Sequence, residues 1–281
     1  MKHYIKLFST ILLLGLILAG CMSNDNQSKD KMGTIKTGIA RSTVFALVSS
    51  AENSTTDYTK QYSYIEDIGD GRGYTGGIIG FTSGTGDMLA VVKKYTHLRP
   101  RNNILAKYLL ALKKVNGSAS HKGLGKNFIV AWKKAADDSR FIKAQDAILN
   151  EQYMQPALKY SKKDHLGQLG QYIYYDALVV HGPGTPKEKN TFQGIRHQAL
   201  KYAKSPSEGG SQHAYLLAFL RARKPIMREE QAHHDLSRLN TQRQFIEDKN
   251  YSLKLPLKWK MYGDTYSLTK KQAADFLQKT Q

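Results

Sequence analysis

Apolar residues recur at helical spacing over most of the chain. Val44, Leu47, Val48 and Ala51 form one stripe, and Ser42 or Thr43 just ahead of it has the side chain of a helix cap. The pattern predicts a helix that runs out at Glu52-Asn53. Residues 62–68 have strand composition. Gly69-Asp70-Gly71-Arg72-Gly73 reads as a turn, its Asp-Gly step being a hairpin signal. Residues 74–82 read as a Gly-rich second strand or loop. From Asp87 onward the chain is mostly helical. Met88, Val91, Val92 and Tyr95 make one stripe, and Ile104, Tyr108, Leu109 and Leu112 another. Further helices are predicted at 128–136, 141–161, 166–180, 192–203, 215–223 and 235–249. Residues 252–268 alternate weakly and predict a terminal hairpin. The class is mainly α (α+β), with one small β element near the N-terminus. No internal repeat and no Pro-rich linker follows residue 41.

The first 41 residues have a different character. Lys2 and Lys6 precede an apolar run, 7–18, broken by Ser9, Thr10 and Gly15. The run is short for a transmembrane helix, which needs about 20 residues. Leu18-Ala19-Gly20-Cys21 then places small residues before the chain's single cysteine. Residues 1–20 therefore read as an export signal, and the junction resembles a bacterial lipobox that would lipidate Cys21. An ordinary secretory cleavage near a cysteine is the alternative. Residues 21–41 are polar and aperiodic and read as a flexible tether, which leaves 42–281 as the folded domain. The expected location is the cell surface, anchored at Cys21, or secretion if the anchor is not added.

Charge alters this picture. The 281 residues carry 42 Lys+Arg against 23 Asp+Glu, a formal +19. With 41% hydrophobic residues the chain has ample material for a core, which excludes intrinsic disorder. A total of +19 points first to an anionic partner. The charge is uneven, however. Residues 42–92 hold Lys60 and Arg72 against Glu52, Asp57, Glu66, Asp67, Asp70 and Asp87, a net −4 island inside a basic protein. The island coincides with the unusual glycines, which marks it as a site rather than scattered surface charge.

Two carboxylates in the island suit paired chemistry. Glu52 ends a helix, where the dipole disfavours a negative charge and favours the protonated form a general acid needs. Asp70 sits exposed between two glycines, where a base could activate water. One protonated and one ionised carboxylate make the machinery of glycoside hydrolysis. The same residues also read as a solvated helix end and an ordinary turn aspartate.

The local sequence favours the first reading. Glu52-Asn53-Ser54, then Tyr62-x-Tyr64-Ile65-Glu66-Asp67-Ile68-Gly69-Asp70-Gly71-Arg72-Gly73-Tyr74-Thr75-Gly76-Gly77, then Gly80-Phe81-Thr82-Ser83-Gly84-Thr85-Gly86-Asp87 resembles the signature of the family 46 chitosanases. Later segments extend it: Tyr175-Asp176 with His181-Gly182, Phe219-Leu220 with Arg223, and Glu229-Glu230 through His233 and Asp235 to Ser237-Arg238. The resemblance implies a lysozyme-like fold, with two lobes joined by a long helix and a small sheet beside the cleft. It implies endo-hydrolysis of β-1,4 links in chitosan with inversion, Glu52 as acid, Asp70 as base and Thr75 holding the attacking water. It places Arg72 near the acid, puts Tyr64, Ser54 and Asp87 on or near the sugar, and makes Asp176, Arg223 and Arg238 an ion network behind Glu52. His181, Glu230 and His233 carry over to the cleft less closely, because the spacing drifts. Asp176 with Arg223 and Arg238 also reads as plain structural ion pairing.

Other motifs are excluded on spacing. The glycines of 71–77 lack the Lys-Ser/Thr of a phosphate loop. Asp67 and Asp70 do not keep a calcium-loop spacing. Adjacent His233 and His234 on a helix would point about 100° apart, so no metal and no cofactor is expected. The expected partners are chitosan, a cationic polymer, and a membrane through Cys21, with no nucleic acid and the chain acting as a monomer. A cell-wall lytic enzyme acting on peptidoglycan is the runner-up. Peptidoglycan carries carboxylates, whereas the −4 island favours a cation.

Overall fold

The computed structural model describes residues 33–230 and 234–280. The expected export signal, Cys21, residues 21–32 of the tether and His233 lie outside the described residues.

Helix α1 spans Gly38–Glu52. It begins ahead of the expected cap. Ser42 and Thr43 are buried inside it, Ser42 Oγ donating to the carbonyl of Ala273 at 2.7 Å and Thr43 Oγ1 to that of Ile39 at 2.8 Å. Residues 33–41 are likewise not tether. Ile35 is fully buried, and its N–H donates to Gln171 Oε1 at 3.0 Å. The folded chain thus starts several residues before 42.

A short 3-10 turn, Tyr58–Ser63, takes the place of the first part of the expected strand. Three strands follow, β1 Ile65–Asp67, β2 Tyr74–Gly76 and β3 Phe81–Thr82, in an antiparallel sheet of order β1-β2-β3. Glu66 faces Thr75, and Thr75 faces Thr82. The β1–β2 connection runs over residues 68–73, longer than the two-residue turn that the Asp-Gly step signals.

The helices then come in order: α2 Asp87–Leu98, α3 Leu109–Val115, α4 Gly125–Ala135 and α5 Ser139–Leu149. A π turn, Asn150–Met154, carries α5 into α6, Gln155–Lys163. This continuous helical stretch is the expected long connector. Beyond it lie α7 Gln168–His181, α8 Phe192–Tyr202, α9 Gln212–Glu229 and α10 Ser237–Glu247. The terminal hairpin is β4 Leu257–Met261 with β5 Asp264–Leu268. A last helix, α11 Lys270–Lys279, was not visible in the apolar pattern.

The packing follows from the stripes. Met88, Val91, Val92 and Tyr95 are buried as expected and seat α2 against α5. In the other lobe α8 packs on α9 and α6 on α7. Helix α1 lies against α7 and α11, with Phe45 stacked on Tyr175 and edge-on to Tyr58. Trp259 of β4 is buried and donates to Ser50 Oγ at 2.9 Å, which fixes the last turn of α1. The fold is lysozyme-like: mainly helical, two-lobed, with the small sheet beside the cleft.

Candidate active site

The end of α1 opens onto a cleft of about 390 Å³. Glu52 and Asn53 line it from α1, and Tyr64 and Ile68 from either side of β1. Arg72, Thr75 and the 77–80 turn line it from the sheet, with Val179 and Val180 from α7 and Glu230 from just past α9. Asp70 is exposed on the loop between Ile68 and Arg72, outside the enclosed part of the cleft.

Asp70 is held by its neighbour. Arg72 donates to it through its backbone N–H at 3.0 Å, through Nε at 2.8 Å and through Nη2 at 2.5 Å. These hydrogen bonds keep the Asp70 carboxyl below the usual carboxylate range. Arg72 lines the same cleft as Glu52; its guanidinium is bonded to Asp70, and the cation bonded to Glu52 is Arg238.

The loop carrying Asp70 is locked by close packing that only glycine allows. A side chain at Gly84 would meet the carbonyl oxygens of Ser118 and Arg72 at 2.5 and 2.7 Å. That space is taken by Gly84 N–H donating to Arg72 O at 2.9 Å and Gly117 N–H to Gly84 O at 2.7 Å. Gly73 has φ +76, and a Cβ there would sit 2.3 Å from Ser83 Oγ, which accepts from Tyr74 N–H at 2.9 Å. Thr75 of β2 lines the cleft beside this frame. Its Oγ1 is buried and makes no hydrogen bond among the described residues.

Behind Glu52 lies a buried charge network. Arg238 Nη1 donates to Glu52 Oε1 at 2.6 Å, and its Nε donates to Asp176 Oδ1 at 2.7 Å. Arg223 Nη1 reaches Asp176 Oδ2 at 2.6 Å, and Gln242 Nε2 reaches the same oxygen at 2.7 Å. Burial works to raise the Asp176 carboxyl, but the two guanidiniums win and hold it at about 2. Arg223 Nε donates to His181 Nε2 at 2.9 Å, so the ring proton belongs on Nδ1, which stands 3.4 Å from Glu230 Oε1.

A helix-end glutamate on a cleft, an aspartate on a tight loop and a buried arginine relay suit proton transfer at a sugar bond. Comparison with known proteins agrees. The model of glycosyl hydrolase family 46 matches residues 46–257. The chain belongs to this family. It is 58% identical over 221 residues to a chitosanase from a Streptomyces species, covering 78% of each chain. It is 35% identical over 223 residues to a chitosanase from Bacillus subtilis, covering 75% of this chain and 78% of that one. A solved chitosanase co-crystallised with substrate superposes with a TM-score of 0.78 at 52% identity, over 84% of this chain and 100% of the other.

The other predicted residues of this glycosyl hydrolase family 46 enzyme are spread unevenly. Tyr64 lines the cleft and donates its hydroxyl to Glu66. Its phenol is pushed up by burial and by that acceptor. Ser54 follows α1 at φ +51 and is exposed, outside the cleft lining. Asp87 is also outside the lining. It is the first residue of α2, and its Oδ1 accepts from Thr82 N–H, Thr85 Oγ1 and Met88 N–H, each at 2.8 Å. Burial raises its carboxyl, against those hydrogen bonds. The reading of Asp87 as a sugar contact is therefore joined by a structural duty. Among the described residues no cluster of three His, Cys, Asp or Glu could hold a metal.

Some contributors went unseen in the sequence. Gln242 completes the shell of Asp176 and lies four residues after Arg238 on one face of α10, a spacing that could have flagged it. Gln145 is fully buried, accepts from Ile78 N–H at 3.0 Å and donates to Tyr62 O at 2.9 Å, bracing the 77–80 turn. A glutamine inside the apolar stripe of α5 was its signal.

Proposed function

We propose that this family 46 enzyme cuts internal β-1,4 links of chitosan with inversion, Glu52 giving the proton and Asp70 activating water. Chitosan hydrolysis itself follows from family membership and from relatives named chitosanase. The observation that carries the mechanism is the buried, unpartnered hydroxyl of Thr75 in the lining that also holds Glu52. Such a hydroxyl is a ready anchor for the attacking water.

Inversion needs a water between the base and the anomeric carbon, with the carboxyls about 6.5–9.5 Å apart. Supplying them from a helix end and from a loop of the facing sheet suits that gap. Arg238 occupies Glu52 Oε1, which leaves Oε2 as the oxygen that carries the proton to the leaving glycosidic oxygen. Arg72 keeps Asp70 ionised and so free to accept a proton from the water. The acid departs as a carboxylate, and Arg238, fixed by Asp176, receives that charge. The carboxylates of the sheet segment favour a cationic chain. The leader and Cys21 support export and lipid anchoring at the cell surface.

Proton NMR of fresh chitosan hydrolysate tests the stereochemistry. Inversion predicts the α-anomer first, and initial β-anomer would overturn it. Glu52→Gln should lose at least about 100-fold in rate while still binding the polymer. Release of reducing ends from peptidoglycan at a rate matching chitosan would favour the cell-wall reading instead.

A further inference from the structure

A second recess, of about 740 Å³, lies between α8, α9 and the 182–191 loop, and it is larger than the cleft. Part of its lining comes from α9. Pro225 sits inside that helix and offers no N–H, so the turn around it cannot complete its ladder. Ala222, Pro225 and Ile226 of this turn form one wall, and Tyr202 of α8, 42% exposed, lines the recess as well.

Its charge is opposite to that of the cleft segment. Lys187 and Lys189 line it from the loop and Lys201 from α8. Among the described residues none of these ammoniums pairs with a carboxylate. Glu188 stands between two of them in sequence, but its carboxylate accepts from Thr185 N–H at 2.6 Å and is committed to the loop's own turn. Glu229 is the one acid in the lining, so three lysines against it leave a net +2.

We propose that this recess binds a phosphomonoester of a sugar or polyol. A phosphomonoester carries about −1.5 to −2 at pH 7, which matches the recess. No arginine lines it. Lysine binds phosphate as a point charge, without the planar fork that arginine presents to carboxylate and phosphate alike. A lipid phosphodiester carries a single charge and would leave one lysine uncompensated. Arg221 holds its guanidinium over the Tyr202 ring, 4.1 Å from the centroid, and the exposed remainder of that ring with the apolar wall offers a surface for the carbon skeleton of the ester. The cationic substrate of the cleft is repelled here.

Calorimetric titration of the full chain tests this, with glucose 6-phosphate, inorganic phosphate and glucose as probes. Glucose 6-phosphate should bind saturably at one site, inorganic phosphate at least threefold more weakly, and glucose not at all. Lys189→Glu with Lys201→Glu should weaken glucose 6-phosphate at least tenfold. Lys258→Glu with Lys260→Glu, on the exposed face of β4, should leave it unchanged. Both double variants should hydrolyse chitosan at the parent rate, which reports their fold. If the first pair misfolds, Tyr202→Ala replaces it and should weaken the ester but not inorganic phosphate. Equal loss in both pairs, non-saturable heats, or inorganic phosphate binding as tightly as the ester would overturn the proposal. So would displacement of glucose 6-phosphate by vesicles of phosphatidylglycerol in phosphatidylcholine, which would assign the site to a lipid.

Discussion

Arg238 ties Glu52 to Asp176, donating to one through Nη1 at 2.6 Å and to the other through Nε at 2.7 Å. Asp176 is fully buried and is also the counter-charge of Arg223. Removing it takes the carboxylate from buried Arg223 and leaves buried Arg238 with Glu52 alone. Asp176→Asn should cost about 3–5 kcal/mol of stability, read by urea denaturation at pH 7. The pH dependence has a definite sign. The folded carboxyl is held at about 2, below the unfolded value of about 3.9. Its contribution is complete above the unfolded value and is lost as pH falls from about 4 through 2. The gap between parent and variant should narrow over that window. A gap that stayed constant down to pH 2 would contradict the assignment.

Arg72 holds Asp70 low by direct hydrogen bonding on an exposed loop. A base kept ionised at low pH works at low pH. Arg72→Leu removes those bonds, so the Asp70 carboxyl should return toward the usual range. The acid limb of the kcat/KM profile on chitosan should then move to higher pH. An unmoved acid limb in the variant would mean that another group sets it.

What the sequence disclosed depended on whether the deciding partner was local. The stripe of Val44, Leu47 and Val48 announced α1, and that of Met88, Val91, Val92 and Tyr95 announced α2, because each face is written within a dozen residues. The start of α1 was misjudged because Ser42 has a cap's side chain but spends it on Ala273, 231 positions away. Helix α11 buries little more than Ala273 and Phe276 among lysines and polar residues, so its stripe was too thin to register. Its capping box, Thr269 with Gln272, was the available cue. In the site, the proposed acid at a helix end and the proposed base among glycines were legible as chemistry. The network of Asp176, Arg223 and Arg238 was not, since its members lie 47 and 62 residues apart and no periodicity links them. Only the resemblance joined them.

The glycine frame around Asp70 gives a prediction of its own. A methyl at Gly84 would press on two backbone oxygens, neither of which can rotate away. Gly84→Ala should cost about 1–3 kcal/mol, and it should lower chitosan hydrolysis further than the stability loss explains, because Arg72 and the Asp70 loop must shift. Gly209→Ala is the matched control. That glycine has φ +83 with nothing near its missing Cβ, so it should lose stability through strain alone and keep full activity. Equal activity in the two variants would sink the idea that this packing positions the base.

Thr75 separates a catalytic duty from a structural one most cleanly. Its Oγ1 is buried and unpartnered in the protein, so the hydroxyl carries a desolvation cost without a compensating bond. Valine has nearly the same shape and lacks the hydroxyl. If Thr75 were a core residue only, Thr75→Val would be neutral or stabilising and leave the rate alone. If its hydroxyl orients the attacking water, the same variant should hold or gain stability while kcat on chitosan falls about 10- to 100-fold and KM stays near the parent value. Thr75→Ser, which keeps the hydroxyl and drops the methyl, should recover much of kcat at a cost of about 1 kcal/mol in stability. Parallel thermal melts and initial rates for the three proteins distinguish the cases. A valine variant with parent kcat would remove Thr75 from the mechanism.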